Sequence, residues 1–128
     1  MDLKAFLQLY CQLADSCKAT IKIQGYELVI ETGKSSWTIT TKICSKGQVP
    51  LSFLNSLALS RFSIFEKQGV FLKRSSQDGK LYLMKKTTAL QTFDDFERVI
   101  NSFIKICDQW KGLLDDLDHL NRSNLIQK

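Results

Sequence analysis

The residue types that most often carry chemistry are scarce in this chain of 128 residues. Histidine, the side chain best suited to trading protons near neutral pH, occurs once, as His119 near the end of an amphipathic stretch. There it reads as a helix-end or solvent-facing residue, not as a general base. The four cysteines, Cys11, Cys17, Cys44 and Cys107, include no CxxC pair and have no histidine beside them. That excludes a zinc site of about four convergent ligands and gives no activated thiol, so they read as reduced core thiols in a cytosol. Asp115, Asp116 and Asp118 fall on different helical faces without the glycine of a calcium loop, which makes them a solvated helix face. Gly33-Lys34-Ser35 has the ending of a phosphate loop but lacks the glycine-rich stretch before it. No catalytic residue, cofactor or metal is expected.

Long apolar runs are also missing. No stretch reaches the roughly 18 apolar residues of a membrane span, and no basic segment followed by an apolar block stands at the N-terminus. The chain is therefore expected neither to insert in a membrane nor to leave by a signal peptide. A single proline, 24% charged residues and 44% hydrophobic residues describe an ordinary folded protein. One domain over residues 1–120 and a loosely ordered tail over 121–128 are expected.

What is present is patterned. Leu3, Phe6, Leu7, Tyr10, Leu13, Ala14 and Cys17 recur at spacings of three and four, which predicts an amphipathic helix. From Ala19 to Ser45 the period falls to two, with Gly25 as an interruption and Thr32-Gly33-Lys34-Ser35 as a turn between antiparallel strands. Pro50 suits the start of a second helix with a stripe of Leu51, Leu54, Leu57 and Ala58. Val70–Lys73 and Lys80–Lys85 read as a hairpin around Ser75–Gly79, and a capped helix is predicted from Phe93 to Leu120.

The formal charge of +5 is uneven. Residues 61–86 hold seven basic and two acidic groups, and residues 87–128 hold five basic and seven acidic ones. The basic patch comprises Arg61, Lys67, Lys73, Arg74, Lys80, Lys85 and Lys86, with Phe65, Phe71 and Tyr82 nearby. Such a field attracts nucleic acid, an anionic membrane or an acidic partner alike. Strand alternation is expected to send the aromatics to one face and the lysines to the other, which disfavours direct nucleic-acid binding. The pattern as a whole points to work done by binding: helices that cover sheet edges, and an apolar groove open to an extended partner segment.

The order of these elements resembles the class I type III secretion chaperones, the Tir-chaperone-like proteins of Gram-negative bacteria. The helix MDLKAFLQLYCQLADS precedes the sheet segment GYELVIETGKSSWTITTKICS, the helix VPLSFLNSLALSRF, the hairpin GVFLKRSSQDGKLYLMKKTTAL and the helix FDDFERVINSFIKICDQWKGLLDDL. Leu81, Leu83, Leu90, Phe93, Phe96, Phe103, Trp110 and Leu114 resemble that family's closing strand and helix. The similarity covers residues 2–117.

The resemblance implies an α+β fold of order α-β-β-β-α-β-β-α, a twisted antiparallel sheet packed with three helices, in a dimeric bacterial cytoplasmic protein. It implies a homodimer, or a heterodimer with a second, more acidic chaperone, joined through Pro50, Leu51, Leu54, Leu57, Ala58 and Phe62. A secreted effector or gatekeeper protein is the implied client, held in non-globular form over Leu3, Phe6, Leu7, Tyr10, Ile21, Ile23, Leu28, Ile30 and Trp37. It is kept soluble and recognisable to the secretion ATPase, and the chaperone itself hydrolyses nothing. Two features depart from the family: the sequence pI of about 9.1, where the family is generally acidic, and the glycine-poor connection FSIFEKQG. The first implies an acidic heterodimer partner or a second role. That alternative is a regulator that binds transcription machinery or nucleic acid through residues 61–86, as some chlamydial chaperones touch transcription machinery.

Overall fold

The computed structural model describes residues 2–43, 69–74 and 80–126, at backbone level only for 74 and 117–126. Helix α1 (Leu3–Ser16) opens the chain, followed by β1 (Lys18–Ile23), β2 (Tyr26–Thr32), β3 (Ser36–Ile43), β4 (Val70–Arg74), β5 (Leu81–Thr88) and α2 (Phe93–Ile126). The expected middle helix, with Pro50, Leu51, Leu54, Leu57, Ala58 and Phe62, lies outside the described residues. So do Cys44, Arg61, Lys67 and the Ser75–Gly79 turn.

The five strands form one antiparallel sheet in the order β1-β2-β3-β5-β4. Each early junction has a local cause. Asp2 caps α1, its Oδ1 accepting from the Ala5 amide at 2.7 Å. Cys17 ends the helix in the left-handed region at φ 59°, its amide returning to the Leu13 carbonyl. Gln24 and Gly25, at φ 51° and 86°, form a two-residue turn between the paired Ile23 and Tyr26. Positive φ at both central residues gives a hairpin the twist its strands need. Gly25 is thus a turn residue and not an interruption within a strand.

Alternation puts one face of the sheet inside. Ala19, Leu28, Ile30, Trp37, Ile39, Thr41, Ile43, Val70, Leu81 and Leu83 are buried there. Against them α2 lays Phe96, Ile100, Phe103, Ile104, Cys107, Trp110 and Leu114. Burying each of the aromatic side chains among these contributes on the order of 2–3 kcal/mol. Thr92 caps α2 through its Oγ1, which accepts from the Asp95 amide at 3.1 Å, and Asp94 and Asp95 complement the positive helix end. The helix backbone continues through Ile126, past the Leu120 end that periodicity suggested and into the segment expected to be loosely ordered. At about 1.5 Å per residue, the 34 residues of α2 span about 50 Å, well beyond an eight-residue strand.

Two expectations about α1 and the thiols need correction. The buried face of α1 is Phe6, Leu9 and Leu13, whereas Leu3, Leu7, Tyr10, Ala14 and Cys17 are exposed. At about 100° per residue the apolar positions cover an arc of about 160°, and the sheet covers only one side of it. Cys11 and Cys17 are therefore exposed and only Cys107 is a core thiol among the described cysteines. Cys11 lies outside the buried face, and Cys17 is the helix cap.

Candidate functional site

The uncovered part of that arc is the most distinctive surface in the described residues. Leu3 and Leu7 are each 54% exposed and Tyr10 is 38% exposed, one above another at helical spacing. Beneath them lies an aromatic layer. The Phe6 ring sits 5.7 Å from Tyr10, 5.5 Å from Phe93 and 4.9 Å from Phe96, and Tyr10 is 5.9 Å from Trp37. These edge-on and tilted contacts fix the orientation of Tyr10 on the rim.

Beside α1 runs β1, an edge strand whose second side carries no partner among the described residues. The Thr32 amide donates to the Cys17 carbonyl at 2.9 Å, so residue 17 and its alternates Ala19, Ile21 and Ile23 turn their peptide groups toward β2. Lys18, Thr20 and Lys22 turn theirs outward. The Lys18 carbonyl already accepts from the Ser16 hydroxyl at 2.9 Å, which leaves Thr20 and Lys22 to offer a ladder. At the far end of β1 is a cleft of about 50 Å³, with an apolar floor of Ile23, Phe93, Phe96 and Ile100 and a polar rim of Gln24, Glu97 and Asn101. Phe93 and Phe96 join this cleft to Phe6 of α1.

The nine residues expected to form a client surface are thus divided. Leu3, Leu7 and Tyr10 are exposed on α1, Ile21 and Ile23 are half-buried on β1, and Phe6, Leu28, Ile30 and Trp37 are sealed in the core. The cleft residues on α2 went unnoticed in the sequence, because Glu97 and Asn101 look like ordinary polar positions of an amphipathic helix. The basic patch is divided too. Lys73 and Lys86 are exposed on the outer face of the sheet, and Lys80 is exposed just before β5. Lys85 is half-buried on the inner face between Ile39 and Val70, where burial lowers its pKa. Arg74, described at backbone level, pairs with Leu81.

The separation expected of aromatics and lysines on β4 and β5 does not hold. Phe71 and Lys73 share the outer face of β4, and Tyr82, Met84 and Lys86 share that of β5. Val70-Phe71-Leu72 is a continuous apolar run, and pairing with β5 decides which of its residues are inside.

Two described groups are held in their protonated forms by burial and a neighbouring carboxylate. The Cys107 thiol is pushed up to about 12 by burial, reinforced by the charge of Asp108, so it stays protonated. The Tyr26 hydroxyl donates to Asp108 Oδ1 at 2.5 Å, and its pKa is raised by burial first and by that carboxylate second. This bond ties β2 to α2. No group of three metal-ligating side chains converges among the described residues, and no described helix is long and apolar enough to cross a membrane. Gly33-Lys34-Ser35 is the β2–β3 turn, closed by the Gly33 amide on the Ser36 carbonyl at 2.7 Å.

No family model matches the chain, and no curated protein matches it in sequence. Solved structures do match. A chain of the ExsC–ExsE complex aligns with a TM-score of 0.64 at 15% identity, covering 89% of this chain and 97% of that one. A chain of the HopA1–SchA chaperone–effector complex aligns at 0.62 and 11% identity, covering 88% and 98%. The chain is type III secretion chaperone-like in fold. A third alignment, to the heterodimeric ExoU–SpcU complex from the type III secretion system of Pseudomonas aeruginosa, has a TM-score of 0.54 at 18% identity over 81% and 84%. The shared part is the antiparallel sheet with its flanking helices.

Proposed function

We propose that this protein is a non-enzymatic chaperone that holds an extended segment of a secreted effector or gatekeeper protein and keeps it soluble and secretion-competent. The observation that carries the reading is the exposed row of Leu3, Leu7 and Tyr10 on α1, with the edge of β1, unpaired among the described residues, as a second element that a client can use. Apolar side chains of the client would cover the row, and its backbone would pair with the outward peptide groups of Thr20 and Lys22. The cleft at Ile23 accepts one further side chain. A structural neighbour solved as a chaperone–effector complex supports the chaperone reading. The chaperone acts as a dimer, either with itself or with a more acidic second chaperone that balances its charge of +5. Its loaded form is what a secretion ATPase would meet.

The test is co-expression with candidate secreted proteins encoded beside it, followed by size-exclusion chromatography with light scattering. A client that is insoluble alone should co-elute with the chaperone. Leu3→Asp combined with Leu7→Asp should abolish that complex while leaving the melting temperature unchanged. A client retained by this variant would overturn the assignment of the surface.

A further inference from the structure

The cleft where the β1–β2 turn meets the first turns of α2 has two kinds of wall. Ile23, Phe93, Phe96 and Ile100 make an apolar floor, and each polar group of the rim, from Gln24, Glu97 and Asn101, offers a hydrogen-bond acceptor. Glu97 and Asn101 stand one turn apart on the exposed face of α2. The Glu97 carboxylate has no ion-pair or hydrogen-bond partner among the described residues. Of the cations nearest in the chain, Arg98 is held by Asp95 at 2.6 Å, and Lys22 stands across from Glu27 on the other face of the sheet. Asp94, one turn before Glu97, adds a second exposed negative charge.

We propose that this cleft is a subsite for an arginine side chain of the client segment. That the occupant belongs to a client rests on the chaperone reading above; the chemistry of the cleft does not. In a strand added beside β1, the residue placed opposite Ile23 shares the inner face of the sheet with it, and Ile23 is part of the cleft floor. An aliphatic or aromatic side chain would cover the floor but strip water from Glu97 with nothing in return. A carboxylate would be repelled by Glu97. A lysine would meet it as a single point charge. A guanidinium presents a planar fork of N–H donors to the carboxylate and the carboxamide oxygens, and lays that plane and its methylene stem on the phenyl rings of the floor.

The probes are N-acetyl-argininamide, N-acetyl-lysinamide and N-acetyl-leucinamide, each titrated into the full chain carrying carbon-13 isoleucine methyls and followed by NMR. The argininamide should shift the Ile23 and Ile100 methyls, saturating in the millimolar range expected of a ligand of about fifteen heavy atoms, while Ile39 on β3 stays in place. It should bind about fivefold tighter than either other amide. Glu97→Gln keeps the shape of the rim but removes its charge, and should weaken the argininamide by about fivefold with the leucinamide unchanged. Asn101→Lys sets an ammonium one turn after Glu97, the favourable order for a pair within a helix, and should compete with the argininamide to a similar extent. Both positions are exposed, so far-UV circular dichroism and melting should not change. Still methyls at Ile23 and Ile100, equal affinity for either other amide, or binding indifferent to Glu97→Gln would each overturn the proposal. None of these outcomes touches capture by Leu3 and Leu7, and failure of that capture leaves the titration to be read by itself.

Discussion

Cys107 is buried against the sheet at the position where α2 passes Tyr26, and its thiol resists ionisation up to about pH 12 from an ordinary value of 9.0. The unfolded chain loses that proton near pH 9 while the native state keeps it, so stability declines as pH rises from about 9 toward 12. The slope from this group is at most about 1.4 kcal/mol per pH unit. Cys107→Ala should flatten the fall of melting temperature between pH 8.5 and 11, compared with the parent, even though its starting stability is lower. Parallel curves for the two proteins would contradict the burial argument. On α1, neighbouring residues should behave as opposites. Phe6→Ala empties a core site and should cost about 3–5 kcal/mol in chemical denaturation, while Leu7→Asp should stay within about 0.5 kcal/mol and act only on client capture. The sequence showed that α1 is apolar over much of its surface but not which part faces inward. Leu9 and Tyr10 are adjacent apolar residues, and only the position of the sheet makes one core and the other rim.

At the scale of elements, the edge of β1 allows a backbone test. Thr20 directs its amide outward, so Thr20→Pro removes a donor that the β1–β2 ladder does not use, and an edge strand tolerates proline there. The variant should remain folded by circular dichroism and bind client more weakly. Ile21→Pro breaks a ladder bond and should unfold β1, with loss of melting cooperativity. If Thr20→Pro binds client unchanged, strand addition along β1 is not the mode of capture. Helices and strands with a single apolar face were legible in the sequence: β2 and β3 from their strict alternation, and α2 from its threefold and fourfold spacing and the Thr92 cap. The outer face of β4 and β5 was not. Val70-Phe71-Leu72 carries no alternation of its own, and the facing of Phe71 follows from its pairing with Met84. The cleft at Ile23 was also invisible, because it needs the β1–β2 turn to meet the first turns of α2.

For the whole molecule, element order was the strongest signal, and it survives at 11–18% identity to the structures that share the fold. Order is set by where apolar periods change, which many sequences satisfy; partner choice is set by a few surface residues, which order does not record. If the protein pairs with itself, light scattering should give twice 14.7 kDa for the purified chain; a mass of 14.7 kDa would exclude the homodimer. The edge of β1, unpaired among the described residues, also governs how the unloaded protein behaves in concentrated solution. Two such edges meeting antiparallel would extend one sheet into another, the first step of a growing fibre. Lys18 and Lys22 stand on that strand with exposed side chains, so the meeting edges bring like charges together. Solutions of the protein alone should therefore stay clear at low ionic strength and become turbid sooner as salt shortens the reach of those charges. Lys18→Thr with Lys22→Thr should cloud at either salt concentration.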